Sequence, residues 1–336
     1  MRSTSSLSSA GEQASPNGAA RSLAARARIR ILGIAPGAVT FAARRFRGAG
    51  ERPQRHLERI GAAFLTGYQA ALLGPSPAAL AEPLSAVERD FRGFAFEGAS
   101  MALALLDGLL PWTRSRLRAF VDETARRHVY MAYVGAGWAW ARLRRSPGER
   151  RAAALHPLLG WLAVDGFGFH QGYFAPGRFV DEAAPPRLRG YAARAFDQGL
   201  GRSLWFVEGA GVERIAARIG RFEAGRRADL WSGVGLACAY AGGVGAEDVR
   251  RLLDASGEHA AHVAQGMVFA AEARARAEIA TDHTDIACRV ALGRSAEWAA
   301  ALAVRALRDL PDGASAEPRY ERWRGAIRDD LAEVVG

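Results

Sequence analysis

The feature that most constrains this chain is a ladder of glycines at near-constant spacing. Asp165-Gly166 is followed 33 residues later by Gln198-Gly199, 34 later by Ser232-Gly233 and 33 later by Gln265-Gly266. Toward the N-terminus, Val134-Gly135 lies 31 residues earlier, Glu97-Gly98 a further 37 and Thr66-Gly67 a further 31. Four successive copies carry Gly-x-Gly, at Gly135/Gly137, Gly166/Gly168, Gly199/Gly201 and Gly233/Gly235. A period near 33 is the mark of stacked supersecondary units.

The surrounding residues make the unit helical. Leu57, Ile60, Phe64 and Tyr68 recur at helical spacing, and comparable apolar runs follow to Leu307. Turn chemistry separates them at Gly74-Pro75-Ser76-Pro77, Ser146-Pro147-Gly148 and Pro185-Pro186. No run alternates as a strand would. The expectation is an all-α fold of stacked αα-hairpin repeats of about 33 residues, each a long helix with a shorter return, forming a solenoid-like or closed helical array. Residues 1–27, rich in Ser, Ala, Gly and Arg, read as a disordered tail. Residues 28–55 read as an N-terminal arm, 56–311 as the repeat domain and 312–336 as a capping helix.

A glycine inside a helix costs about 1 kcal/mol relative to alanine. The ladder must therefore gain something, either close approach of neighbouring helices or a wall with room for a ligand. The residue before each ladder glycine is polar in six of seven copies: Thr66, Glu97, Asp165, Gln198, Ser232 and Gln265. Such groups either bond one another across the stack or face a wet cleft. Trp138, Phe169, Trp205 and Trp231 lie close by in sequence. With Glu97, Asp197, Gln198 and Gln265 they would make an aromatic small-molecule site with a few polar anchors.

His170 and Asp165 share one long run and form the candidate acid–base pair, a role open beside ordinary structural hydrogen bonding. His259 and His262 are weak metal candidates, three apart on one helical face, but spacing supplies no further ligand. Two cysteines, Cys238 and Cys288, are too few for a disulfide framework. No phosphate-loop, nucleophile-elbow or zincin motif occurs, and no particular cofactor is implied. The formal charge is +10, all of it from arginine, since lysine is absent. The arginines scatter through every segment, which argues against a nucleic-acid footprint. No leader or spanning run stands out, so the expectation is a cytoplasmic protein that can touch a membrane without crossing it.

Eight stretches carry a resemblance. They are HLERIGAAFLTGYQAAL (56–72), GFAFEGASMALALLDGLLPW (93–112), YVGAGWAWARL (133–143), LAVDGFGFHQGYF (162–174), RAFDQGLGRSLWFVEGA (194–210), RRADLWSGVGLACAYAGG (226–243), HVAQGMVFAAEAR (262–274) and HTDIACRVALG (283–293). In this order they resemble a domain-of-unknown-function family of the bacterial enediyne biosynthesis cassette, encoded beside the iterative polyketide synthase. The resemblance implies an accessory protein or enzyme acting on, or channelling, a polyene or polyyne intermediate. The alternative is a non-catalytic helical scaffold holding the polyketide synthase and other pathway proteins. It carries over no catalytic residue.

Overall fold

A computed structural model describes residues 16–48, 50–110, 116–311, 313 and 315–335. The described residues are helical and contain no strand. The chain opens with α1 (Pro16–Leu32), α2 (Phe41–Arg44), α3 (Glu51–Leu73), α4 (Pro77–Ser85), α5 (Arg92–Leu109) and α6 (Arg116–Glu123). It continues with α7 (Val129–Arg142), α8 (Glu149–Leu155), α9 (Trp161–Phe174), α10 (Tyr191–Val207), α11 (Val212–Ile219) and α12 (Ala224–Ala241). The last are α13 (Ala246–Ser256), α14 (Ala260–Arg276), α15 (Asp282–Leu292), α16 (Ala296–Arg308) and α17 (Arg319–Val335).

The long helices pack in chain order: α3 on α5, then α7, α9, α10, α12, α14 and α16. One backbone contact recurs along this row. A Cβ placed on Gly199 would lie 1.8 Å from the carbonyl oxygen of Asp165, and one on Gly233 1.9 Å from that of Gln198. The same holds for Gly135 over Glu97, Gly166 over Val134 and Gly266 over Ser232. In each case the carbonyl belongs to the residue just before the preceding ladder glycine. The second glycine of each Gly-x-Gly meets the next helix instead: Gly137 meets the Ala163 carbonyl, Gly201 that of Leu230 and Gly235 that of Val263. Each middle helix is thus gripped from both sides through its own backbone. Close approach is what the ladder gains.

Between α9 and α10 the return is not an α-helix. Gly177–Asp181 forms a π-helical turn, and Pro185-Pro186 lies in the coil that follows. At the N-terminus, residues 1–15 of the tail lie outside the described residues, and 16–27 form the first part of α1. Ala, Arg and Leu there have high helix propensity even without a large apolar face. Ile29 and Leu32 do pack on the core, and Arg28 donates to the Leu72 and Leu73 carbonyls at 2.5 and 3.0 Å.

The middle helices are buried nearly all round, as α10 shows with fourteen of its seventeen residues buried. The closing helix α17 inserts charge as well as apolar side chains. Tyr320, Glu321, Trp323 and Arg324 are all at most 2 % exposed.

Candidate functional site

Because the ladder fixes the register of successive helices, the residues beside it face one interior, except Thr66 at its start, which is exposed and donates to the Ala62 carbonyl at 3.0 Å. Glu97, Asp165, Gln198 and Gln265 are at most 2 % exposed. They divide into two clusters.

The first centres on Arg202 in α10. Its guanidinium donates to Asp165 Oδ1 and lies 5.1 Å from the centroid of the Phe169 ring. Asp165 Oδ2 has no partner. Glu97 from α5 feels the same arginine. Burial pushes the Glu97 carboxyl up to about 7; Arg202 opposes the rise and Asp165 adds to it. Asp165 is also raised, by burial against the pull of Arg202. One cation serves two carboxyls, so the cluster retains a proton into the neutral range. The Trp138 indole lies beside Glu97, but its N–H is outside hydrogen-bond geometry.

Arg202 lines two small cavities, each of about 40 Å³. The arm-side cavity is walled by Phe64, Glu97, Trp138, Phe169, Tyr173 and Phe206, and is closed by Ile34 and Val39 of the arm. The opposite cavity is walled by Tyr130, Leu162, Tyr240 and Phe269, with Tyr320 and Trp323 of α17. Each has room for about one water. The arm is well fastened. Arg47 bonds Glu208 at 2.8 Å and Asp181 at 3.1 Å, Phe46 packs edge-on to Tyr173, and Val39 rests on Gly61.

The second cluster ties α17 to the row. Arg324, wholly buried, bonds Asp229 at 2.7 Å, Glu321 at 2.8 Å and Gln265 at 3.2 Å. Arg194 bonds Asp229 and Glu321 at 2.9 and 2.8 Å, and Arg328 bonds Glu321 at 3.0 Å. Ser232 donates to Gln265 at 2.9 Å. Burial raises both carboxyls, yet these arginines hold Asp229 and Glu321 below their ordinary values. Gln198 lies between the clusters, donating to the Tyr320 hydroxyl at 3.4 Å while its own Oε1 is unpartnered.

Of the sequence-predicted residues, Glu97, Trp138, Phe169 and Asp165 therefore meet around Arg202. Asp197 does not join them; Arg226 holds it in a two-pronged pair at 3.0 and 2.6 Å, with its carboxyl still raised by burial to about 6. Trp205 is spent on a bond from its indole N–H to the Gly242 carbonyl at 2.9 Å, and Trp231 is buried in the core outside both cavities.

His170 and Asp165 make no hydrogen bond to each other. Five residues apart, they project about 140° from one another around the helix. His170 instead packs against Trp138 and Phe174, and burial, with Arg142 and Arg44 nearby, pushes its imidazole down to about 4. Its Nδ1 is unpartnered.

His259 and His262 come within 5.9 Å, ring to ring, but Arg328 and Arg324 face His262, and burial together with them pushes it down to about 4. Among the described residues, no three His, Cys, Asp or Glu side chains gather as a metal site would need.

A family model described as a protein of unknown function, DUF1702, matches residues 23–331. The chain belongs to the DUF1702 family. No curated protein and no solved structure matches it. Among the described residues no helix is long and apolar enough to cross a membrane.

The sequence reading missed Arg202, Tyr240, Tyr320 and Arg324. Arg202 did carry a signal, as the lone charge in the run Leu200 to Val207 on a ladder helix.

Proposed function

We propose that this DUF1702 protein binds an extended, unsaturated apolar molecule in the aromatic interior on the arm side of Arg202, where Glu97 exchanges a proton with it. Given the resemblance to proteins of the enediyne cassette, the molecule is a polyene or polyyne intermediate of polyketide biosynthesis, and the protein is an accessory enzyme of that pathway. The observation that carries this reading is Glu97. It is a buried carboxyl raised to about 7 in an aromatic cavity, the condition a general acid or base needs near neutral pH. Small-molecule pockets run to about 300 Å³ or more, so a ligand must displace the arm, whose Ile34 and Val39 fill the near side. In this reading the recurrent glycine contact makes the array a stack of equivalent units whose shared inner face carries the ligand.

The second reading is a scaffold for the synthase and its tailoring enzymes. It is supported by the second cluster, whose carboxylates are satisfied by arginine and have only structural work left.

Two measurements separate the readings. Titration with parinaric acid, a fluorescent linear tetraene, should saturate, and Trp138→Ala should weaken it at least about tenfold, the loss of a hot-spot aromatic. Absence of saturable binding removes the ligand site. Co-expression with the adjacent polyketide synthase and its thioesterase should yield a product mass that Glu97→Gln abolishes. A product of unchanged mass and merely altered yield favours the scaffold.

A further inference from the structure

Helix α1 packs Ile29 and Leu32 on the core but leaves other apolar side chains outside. Leu23, Ala27 and Ile31, spaced i, i+4 and i+8, form one exposed stripe, with Leu23 66 % and Ile31 74 % exposed. Leu73, at the end of α3 where Arg28 of α1 reaches its carbonyl, is 58 % exposed. Singly such residues are unremarkable, but grouped ones mark an interaction surface. Arg26 and Arg30 flank the stripe, both exposed and neither paired with a carboxylate among the described residues.

The charge around this stripe has one sign. From residue 16 to residue 47 the chain has seven arginines and no acidic residue. Arg142 reaches the Leu32 carbonyl at the far end of α1 at 3.0 Å. Burial, with Arg116 nearby, lowers Arg28 below the ordinary arginine value. An apolar stripe edged by unpaired arginines fits a surface that is anionic at its boundary and apolar beneath. A folded protein partner would need an acidic rim around an apolar patch, whereas a bilayer containing anionic lipid presents both layers everywhere.

We infer that α1 is a membrane-surface helix, laying Leu23, Ala27 and Ile31 into the headgroup boundary of an anionic bilayer with Arg26 and Arg30 on the phosphates. The helix is peripheral and does not span. The arm residues Ile34 and Val39 follow α1 directly, so the bilayer would lie on the arm side of the interior cavity. That last consequence rests on the ligand reading above; attachment to lipid does not.

The test is flotation of the full-length protein with vesicles of equimolar phosphatidylglycerol and phosphatidylcholine, against vesicles of phosphatidylcholine alone. The wild type should float with the anionic vesicles and not with the neutral ones, and added salt should weaken the association. Replacing both arginines, Arg26→Gln with Arg30→Gln, should weaken binding about thirtyfold. Ile31→Asp should abolish flotation while leaving the helical circular dichroism and melting temperature unchanged. The inference is overturned if the wild type does not float with anionic vesicles, or if both variants float as it does. It is also overturned if Ile31→Asp converts a dimer into a monomer with no vesicle binding, since the stripe is then a contact between copies. Success or failure here leaves parinaric acid binding by the interior as a separate result.

Discussion

Two buried charge clusters lie along the same row of helices, and they differ in stoichiometry. Around Arg324, three arginines meet two carboxylates, and Asp229 and Glu321 are held ionised below their ordinary range. Around Arg202, one arginine pairs with Asp165 and acts on Glu97 through its charge alone, and Glu97 rises to about 7. The four carboxyls are alike in burial, but Arg194 and Arg328 are partly exposed where Arg202 is buried. The difference therefore comes from a larger and better solvated supply of cations. A fully compensated cluster fastens one element to another, whereas an under-compensated one keeps a proton it can give up. The first fits a joint between α17 and the row, the second a site.

The largest effect should come from breaking the joint. Arg324→Met leaves Asp229 short of one partner and Gln265 short of its guanidinium in a wholly buried place, and should destabilise by about 4 kcal/mol. Arg202→Met should cost less, because Asp165 and Glu97 can take up protons instead of remaining as unpaired charges. Chemical denaturation of both variants at pH 7 ranks them. If Arg202→Met is the more damaging, the Arg202 cluster is the structural one and the comparison is reversed.

Next come the glycines that hold both clusters in register. Gly199→Ala would drive a methyl into the Asp165 carbonyl and should cost about 3 kcal/mol. Gly225→Ala, at the start of α12 where a Cβ would meet nothing within 4 Å, should be neutral or slightly stabilising. Equal melting temperatures for the two variants would mean that the close approach is not maintained in solution.

How much of this was legible in the sequence depends on the residue type. The all-α class was readable because apolar residues recur at helical spacing with no alternating run. The ladder was readable because glycine is rare inside helices unless something approaches closely. The polar residues beside it were readable as a set, but their division into two clusters was not, because the division is made by arginines. With forty-five arginines and no lysine in the chain, Arg226 and Arg324 look like any surface arginine until the helices are placed, and only Arg202 stands out, alone in an apolar run. Helix α17 hid its role for a related reason: Tyr320, Trp323, Ile327 and Leu331 alternate with charges that look solvated, yet Glu321 and Arg324 point inward. The His170–Asp165 pairing came from proximity along the chain, which helical rotation undoes.

The pH dependence offers a test of comparable size that follows the Arg202 cluster alone. Glu97 has a folded pKa of about 7 against an ordinary 4.5, so the folded protein binds the proton more tightly than the unfolded chain does. The sign follows: stability falls as pH rises from about 4.5 to about 7, by about 3 kcal/mol in all. Asp229 and Glu321 have the opposite sign; their stabilisation is present above their ordinary values and is lost as the solution becomes more acid. His128, His170, His262 and His283, each buried or half-buried and pushed down to about 4, also disfavour folding in acid, so the raw profile is mixed. The difference between wild type and Glu97→Gln isolates one group. Glu97→Gln should be the more stable protein at pH 8 and should lose that advantage by pH 5. A difference that does not change with pH would mean that Glu97 titrates normally and the cluster holds no spare proton.

The smallest expected effect tests whether the two clusters are separate at all. Tyr320 comes from α17, which the Arg324 cluster fastens, but its hydroxyl accepts from Gln198 on the ladder, and its ring walls the cavity beside Arg202. Tyr320→Phe removes one long hydrogen bond and should cost about 1 kcal/mol. If the clusters are independent, the Tyr320→Phe protein should show the same Glu97 titration as wild type, read as the pH dependence of stability with and without Glu97→Gln. If the midpoint moves, α17 does more than close the stack. Its position would then set the protonation of Glu97, and the joint and the site would be two ends of one device.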